Sequence, residues 1–274
     1  MSVTITAADI NKLRQTTGAG MMDCRKALTE SNGDFEAAID WLRKQGQKVA
    51  AKRSDREAKE GVVIAQTTAD NKSGIVLCIS CETDFVSKNA EFVAFAQSIA
   101  DAAIANNVKT AEELNAVSIN GSAVAELIND KLAAIGEKIA LTKFERIDAP
   151  YVASYIHGAN RMGVLVAMTK EAAEAGKDVA MQIAAMNPLA VDETSIAPET
   201  IAREKEIAIE QIKAEGKPAE MAEKIAMGKV NKFFKENTLL AQAFVKDNSK
   251  SVADYLKSVD ADLKVTDFKR VALG

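Results

Sequence analysis

Gly74-Ile75-Val76-Leu77-Cys78-Ile79-Ser80-Cys81, running on into Glu82-Thr83-Asp84-Phe85-Val86, sets the architecture expected of this chain. The first eight residues are short, β-branched and preceded by an Asp70-Asn71-Lys72-Ser73-Gly74 turn signal, so they read as a strand. Val62 to Thr68 supplies the other arm of an antiparallel hairpin with 75–82. Past Cys81 the chain turns a corner before a helix that begins near Asn89. Phe85 sits on that corner, and two readings compete. A large aromatic usually belongs to the core, and spacing alone favours that reading. The alternative is a rigid exposed knob beside an acid, suited to a partner's pocket.

Downstream, helical segments are expected at 89–105 and 121–135, then strands at 138–147, 151–157 and 163–169, then a helix at 171–186. Strand sets followed by helices indicate an α+β architecture. The halves 61–136 and 137–191 each carry strands and then a helix, which suggests two related subdomains with antiparallel sheets. Residues 192–236 change texture: Pro198 opens a charged helix, Gly216-Lys217-Pro218 turns the chain, and a second helix follows to about Lys235. The pair reads as an inserted helical hairpin, a coiled coil. Residues 237–274 return to the second subdomain with a short helix (Val252, Tyr255, Leu256) and a strand near 262–271.

Upstream, residues 1–45 read as three short helices. Thr6 caps the first, which carries Ile10 and Leu13 on one face. Gly18-Ala19-Gly20 breaks it, and a second helix follows from Met21. Asp34 caps a third with Phe35, Ala38, Ile39 and Leu42 on one stripe. This unit resembles a ubiquitin-associated-type domain. Residues 46–60 mix Lys48, Lys52, Arg53 and Arg56 with Asp55, Glu57 and Glu60 and read as a solvated helical linker. Interleaved acids and the lack of aromatics argue against an RNA-binding patch.

Bulk properties narrow the function. The 274 residues are 47% hydrophobic and 27% charged with net charge −4, so a dedicated nucleic-acid binder is a poor fit. No apolar run is long enough to span a membrane, and the N-terminus lacks a signal-peptide layout, so a cytoplasmic protein is expected. The three cysteines, Cys24, Cys78 and Cys81, do not form a disulfide framework. Cys78-Ile79-Ser80-Cys81 spells CxxC, yet residues three apart on a strand point to opposite faces. Small residues packed in a sheet are therefore expected there, not zinc ligands. His157 is the sole histidine. No phosphate loop, nucleophile elbow or zinc-protease motif is present. No cofactor, metal or enzymatic chemistry is expected.

Four motifs resemble elongation factor Ts, in that family's order and over nearly the whole chain. They are Leu13 to Leu28, containing Thr17-Gly18-Ala19-Gly20-Met21-Met22-Asp23; Glu82-Thr83-Asp84-Phe85-Val86; Tyr155-Ile156-His157-Gly158 with Arg161-Met162-Gly163-Val164-Leu165-Val166; and Lys224 to Gln242. The resemblance implies a guanine-nucleotide exchange factor whose partner is elongation factor Tu. It implies that Thr83, Asp84, Phe85 and Val86 enter the partner near its nucleotide and disturb bound Mg²⁺. It assigns partner contacts to Arg14, Thr17, Gly18, Gly20, Met21, Met22 and Asp23 in the N-terminal unit, and to His157 and Gly163 in the second subdomain. The hairpin supports dimerisation in some members, which does not by itself fix the oligomeric state here. Some members also carry a further C-terminal helical module, whose contacts are expected to be missing. The rival expectations are an adaptor that binds without accelerating nucleotide release, and a small-molecule enzyme.

Overall fold

The computed structural model describes residues 4–53, 55–214 and 219–274. Three helices come first: α1 (Ala7–Thr17), α2 (Met21–Glu30) and α3 (Phe35–Arg53). The Thr6 hydroxyl accepts the Asp9 N–H at 3.2 Å, and the Asp9 carboxylate accepts the Thr6 N–H at 3.0 Å, closing the N-terminus of α1. Asp34 accepts the Ala37 N–H at 2.9 Å at the start of α3. Leu13, Cys24, Ala27, Leu28, Ala38 and Leu42 form the core of this unit.

A hairpin follows, β1 (Glu60–Thr67) and β2 (Ser73–Cys81), paired antiparallel from Glu60↔Cys81 to Thr67↔Gly74. Next come the single turn α4 (Asp84–Ser87), α5 (Ala90–Ala105), α6 (Ala111–Ala116) and the tiny hairpin β3 (Ser118–Ile119) and β4 (Ser122–Ala123). Then α7 (Val124–Ile135) leads to β5 (Ala140–Asp148). After β6 (Tyr151–His157) and β7 (Met162–Met168) comes α8 (Ala173–Met186). The helices α9 (Pro198–Ala214) and α10 (Ala219–Asn237) pack on each other through Ala208, Ile212 and Ala226. The expected Gly216-Lys217-Pro218 turn between them lies outside the described residues. The chain closes with β8 (Ala243–Phe244), β9 (Asp247–Ser251), α11 (Val252–Val259) and β10 (Val265–Ala272).

Two three-stranded antiparallel sheets result, β1-β2-β5 and β10-β7-β6. They stack face to face through Val63, Val76, Cys78 and Ile147 from one and Val152, Leu165, Ala167 and Val271 from the other. On its outer face the first sheet turns Ile75, Leu77 and Ile79 toward Phe92, Ile99, Ile128 and Leu132 of α5 and α7. The second sheet turns Val164, Val166 and Met168 toward α8 and α11. The order across the molecule is helices, sheet, sheet, helices. Strands β2 and β7 are therefore buried on both faces, which is why they read as unbroken apolar runs instead of alternating ones.

Two boundaries differ from the sequence reading. The strand expected at 138–147, opening the second subdomain at 137, is β5, at Ala140–Asp148. It instead hydrogen-bonds to β2, from Ser73↔Asp148 to Ser80↔Ala140, and completes the first sheet. Phe144 and Leu141 pack on the first core, so burial decides the assignment. The charged stretch from 46 is also no separate linker at first, because α3 continues to Arg53. Leu42, Gly46 and Val49 recur at helical spacing. Leu42 packs in the N-terminal core, while Gly46 and Val49 meet the first subdomain. A Cβ at Gly46 would lie 2.6 Å from the Ala133 Cβ on α7, so only glycine lets the two helices approach so closely.

Candidate partner-binding site

Strand β2 ends at the buried Cys81, whose thiol donates to the Thr83 carbonyl at 3.2 Å. Burial pushes that thiol up to about 12, with the carboxylates of Glu137 and Glu60 adding to the effect. Cys78 points the other way, into the contact between the sheets, where burial also raises its thiol. The two thiols of the CxxC thus sit on opposite faces of one strand.

The next residues leave the sheet and enter α4, with Thr83 extended at φ −122° before the turn. Their backbone is held from across the fold. The Glu137 carboxylate accepts the N–H of Thr83 at 3.0 Å and of Glu82 at 3.2 Å, and the Thr83 hydroxyl at 2.7 Å. In return the Glu82 carboxylate accepts the Lys138 N–H at 2.6 Å, Arg53 at 2.7 Å and Arg56 at 3.2 Å. These donors, Lys138 first, hold the Glu82 carboxyl below its ordinary value against the cost of burial. Asp84 pairs with Lys88 at 2.7 Å, which likewise keeps its carboxyl low.

Within the turn, Val86 packs against the first core. Phe85, one residue earlier, is 86% exposed, more than any other large apolar side chain among the described residues. The core reading of Phe85 is therefore overturned. The ring stands on a fixed corner, and leaving it in water forgoes about 1.5–3 kcal/mol of burial.

The other candidate residues fall into two further groups. Met21 and Met22, 54% and 74% exposed, open α2, whose inward stripe is Cys24, Ala27 and Leu28. Arg14, Gly18, Gly20 and Asp23 are exposed around them. Thr17 is half-buried and faces inward: its hydroxyl donates to the Leu13 carbonyl at 2.7 Å and accepts the Ala19 N–H at 3.3 Å. It shapes the corner and offers little to a partner. His157 lies exposed at the end of β6, its Nδ1 2.9 Å from the Tyr155 hydroxyl.

Gly163 requires a correction. It is buried between the sheets, where a Cβ would come 2.9 Å from Val76 Cγ2, 3.0 Å from Val63 Cγ1 and 3.1 Å from the Ala65 Cβ. It cannot touch a partner, and its absent side chain lets the two sheets close. Conversely, sequence reasoning passed over Glu137, Arg53 and Arg56. Their signal is weak: an acid after a helix-ending glycine, and two arginines inside a charged run.

Among the described residues, no group of three His, Cys, Asp or Glu side chains could hold a metal ion. A cleft of about 500 Å³ lies where the three-helix unit meets α5 and α7, lined in part by Trp41, Val49, Phe95 and Asp130. No described helix is long and apolar enough to cross a membrane.

The family model described as Elongation factor TS matches residues 82–274. Elongation factor Ts of Flavobacterium psychrophilum is 52% identical over 274 residues, covering 99% of each chain. That of Christiangramia forsetii is 50% identical over 273 residues, 98% of this chain and 99% of its own. That of Cytophaga hutchinsonii is 50% identical over 276 residues, 99% of each. The matched length takes in the three-helix unit, both sheets and the hairpin, and on it this chain belongs to the elongation factor Ts family.

Proposed function

We propose that this chain is a cytoplasmic guanine-nucleotide exchange factor for elongation factor Tu. It binds the GDP-bound GTPase, inserts the Thr83–Val86 corner beside the nucleotide, disturbs the partner's Mg²⁺ and so releases GDP for replacement by GTP. No covalent bond changes in either protein. The observation that carries the reading is Phe85, 86% exposed on a corner whose backbone is pinned by Glu137. A rigid, pre-placed aromatic loses little freedom on entering a pocket.

Linkage sets the energy scale. An exchange factor binds the nucleotide-free partner more tightly than the nucleotide-bound one, and nucleotide weakens its binding by the same factor. A thousandfold loss of GDP affinity corresponds to about 4 kcal/mol of coupling. Burying one Phe supplies about 1.5–3 kcal/mol. Phe85 alone is too small, so weakening the cation's hold on the phosphates contributes, and a broad clamp keeps the distorted state. Met21 and Met22 supply one further contact, their soft side chains suiting a helical surface. His157 supplies another on the second sheet. The α9–α10 hairpin, with Met227 51% exposed, is the surface for any self-association.

Release of fluorescent GDP from purified elongation factor Tu tests the reading, with this chain added in substoichiometric amount. Acceleration with turnover supports exchange. Binding without acceleration would leave the adaptor reading standing.

A further inference from the structure

We propose that Glu137 is a positioning residue for exchange, acting through the backbone of Glu82 and Thr83 to hold Phe85 in its presented geometry. The inference rests on the exchange reading above. A helix of one turn does not sustain itself, because fixing its first turn costs more than its bonds return. The usual local remedy is missing from α4. The Thr83 hydroxyl makes no capping bond to its own helix. It donates instead to Glu137 Oε1 at 2.7 Å.

The neighbouring contacts do not replace that support. The Asp84–Lys88 pair is exposed and screened by solvent. Val86 anchors one side chain only, and the Cys81 thiol, a weak donor, holds only the Thr83 carbonyl. What fixes the entry into the turn is an exchange of carboxylates between two segments. Glu137 closes on the N–H groups of Glu82 and Thr83. Glu82 closes on the N–H of Lys138, and with Arg53 it ties the end of α3 to the same knot. The segment at 137–138 thus works as a clasp on the insertion corner while itself lying outside it.

With the wider contacts holding the complex together, a loosened clasp leaves Phe85 placed for only part of the time within it, and the release rate at saturation falls by that fraction. The test is a double-mutant cycle on GDP release at saturating concentrations of the full chain. Glu137→Ala is expected to lower the maximal release rate by about tenfold or more, on the principle that rate scales with the competent fraction. Hydrogen exchange should quicken at residues 82–88 and remain slow in the sheets. Glu137→Gln should restore most of the rate, because its amide oxygen still accepts both N–H groups. In a Phe85→Ala background, Glu137→Ala should cost little more, since both changes act on one event. Should Glu137→Ala not fold, Glu137→Asp, too short to hold the Glu82 and Thr83 N–H groups, carries the same comparison.

An equal rate loss in both backgrounds would overturn the inference, as would a wild-type rate in the single mutant. A wild-type rate in Phe85→Ala itself would instead sink the insertion reading, so the two failures are distinct.

Discussion

Val86 and Phe85 are neighbours in a single helical turn, and a step of about 100° per residue sends one into the core and the other into solvent. Composition and spacing could not decide which would point inward, since both are apolar. The resemblance favoured exposure, and the anchoring of Val86 is the physical cause. Gly163 shows the opposite failure. It lies within a motif and so was assigned to the partner, but the demand for glycine comes from Val76, Val63 and Ala65 on the facing sheet. Nothing near it in sequence announces that. Gly163→Ala should therefore destabilise the protein by about 1–3 kcal/mol through overpacking, read as a lower melting temperature. An unchanged melting temperature would mean the sheets are not packed as described.

Helix α3 carries the largest departure at the scale of elements. Its charged second half reads as solvated linker, since only Gly46 and Val49 mark the face that meets α7. A glycine in mid-helix ordinarily signals weakness, and Gly46→Ala should gain about 1 kcal/mol of helix propensity. The new Cβ would stand 2.6 Å from that of Ala133, and overpacking of about 1–3 kcal/mol outweighs the gain. We expect Gly46→Ala to loosen α3 from α7 and to shift the emission of Trp41, the single tryptophan, which lines the adjoining cleft. Unaltered emission with raised stability would contradict this. The far end of α3 meets the Glu82–Val86 corner at Glu82, whose carboxyl is held low by Lys138, Arg53 and Arg56. In the unfolded chain that group titrates at about 4.3. Its contribution is complete above that pH and is lost as pH falls through the lower folded-state value. Glu82→Gln should flatten the acid limb of a stability-versus-pH curve below about pH 4.3; an identical limb would show that the contacts to Glu82 carry no net stability.

Across the whole molecule, the α+β class and the antiparallel pairing of β1 with β2 followed from apolar runs separated by turn signals. The stacking of two sheets did not, because strands buried on both faces carry no alternation to show which side meets which layer. The error over β5 has the same origin: its neighbours along the chain, β6 and β7, belong to the other sheet. This arrangement gives the proposed clamp its stiffness. The three-helix unit rests on α7, α7 leads into Glu137, and Glu137 holds the turn that presents Phe85. Exchange would then depend on a small insertion backed by a wide, rigid contact. The most direct test compares wild type with Phe85→Ala in stopped-flow release of fluorescent GDP from elongation factor Tu, with affinity for the nucleotide-free partner measured alongside. Loss of about 1.5–3 kcal/mol of burial predicts release slowed by roughly ten- to a hundredfold, with most of the affinity retained. Release by Phe85→Ala at the wild-type rate would contradict the account.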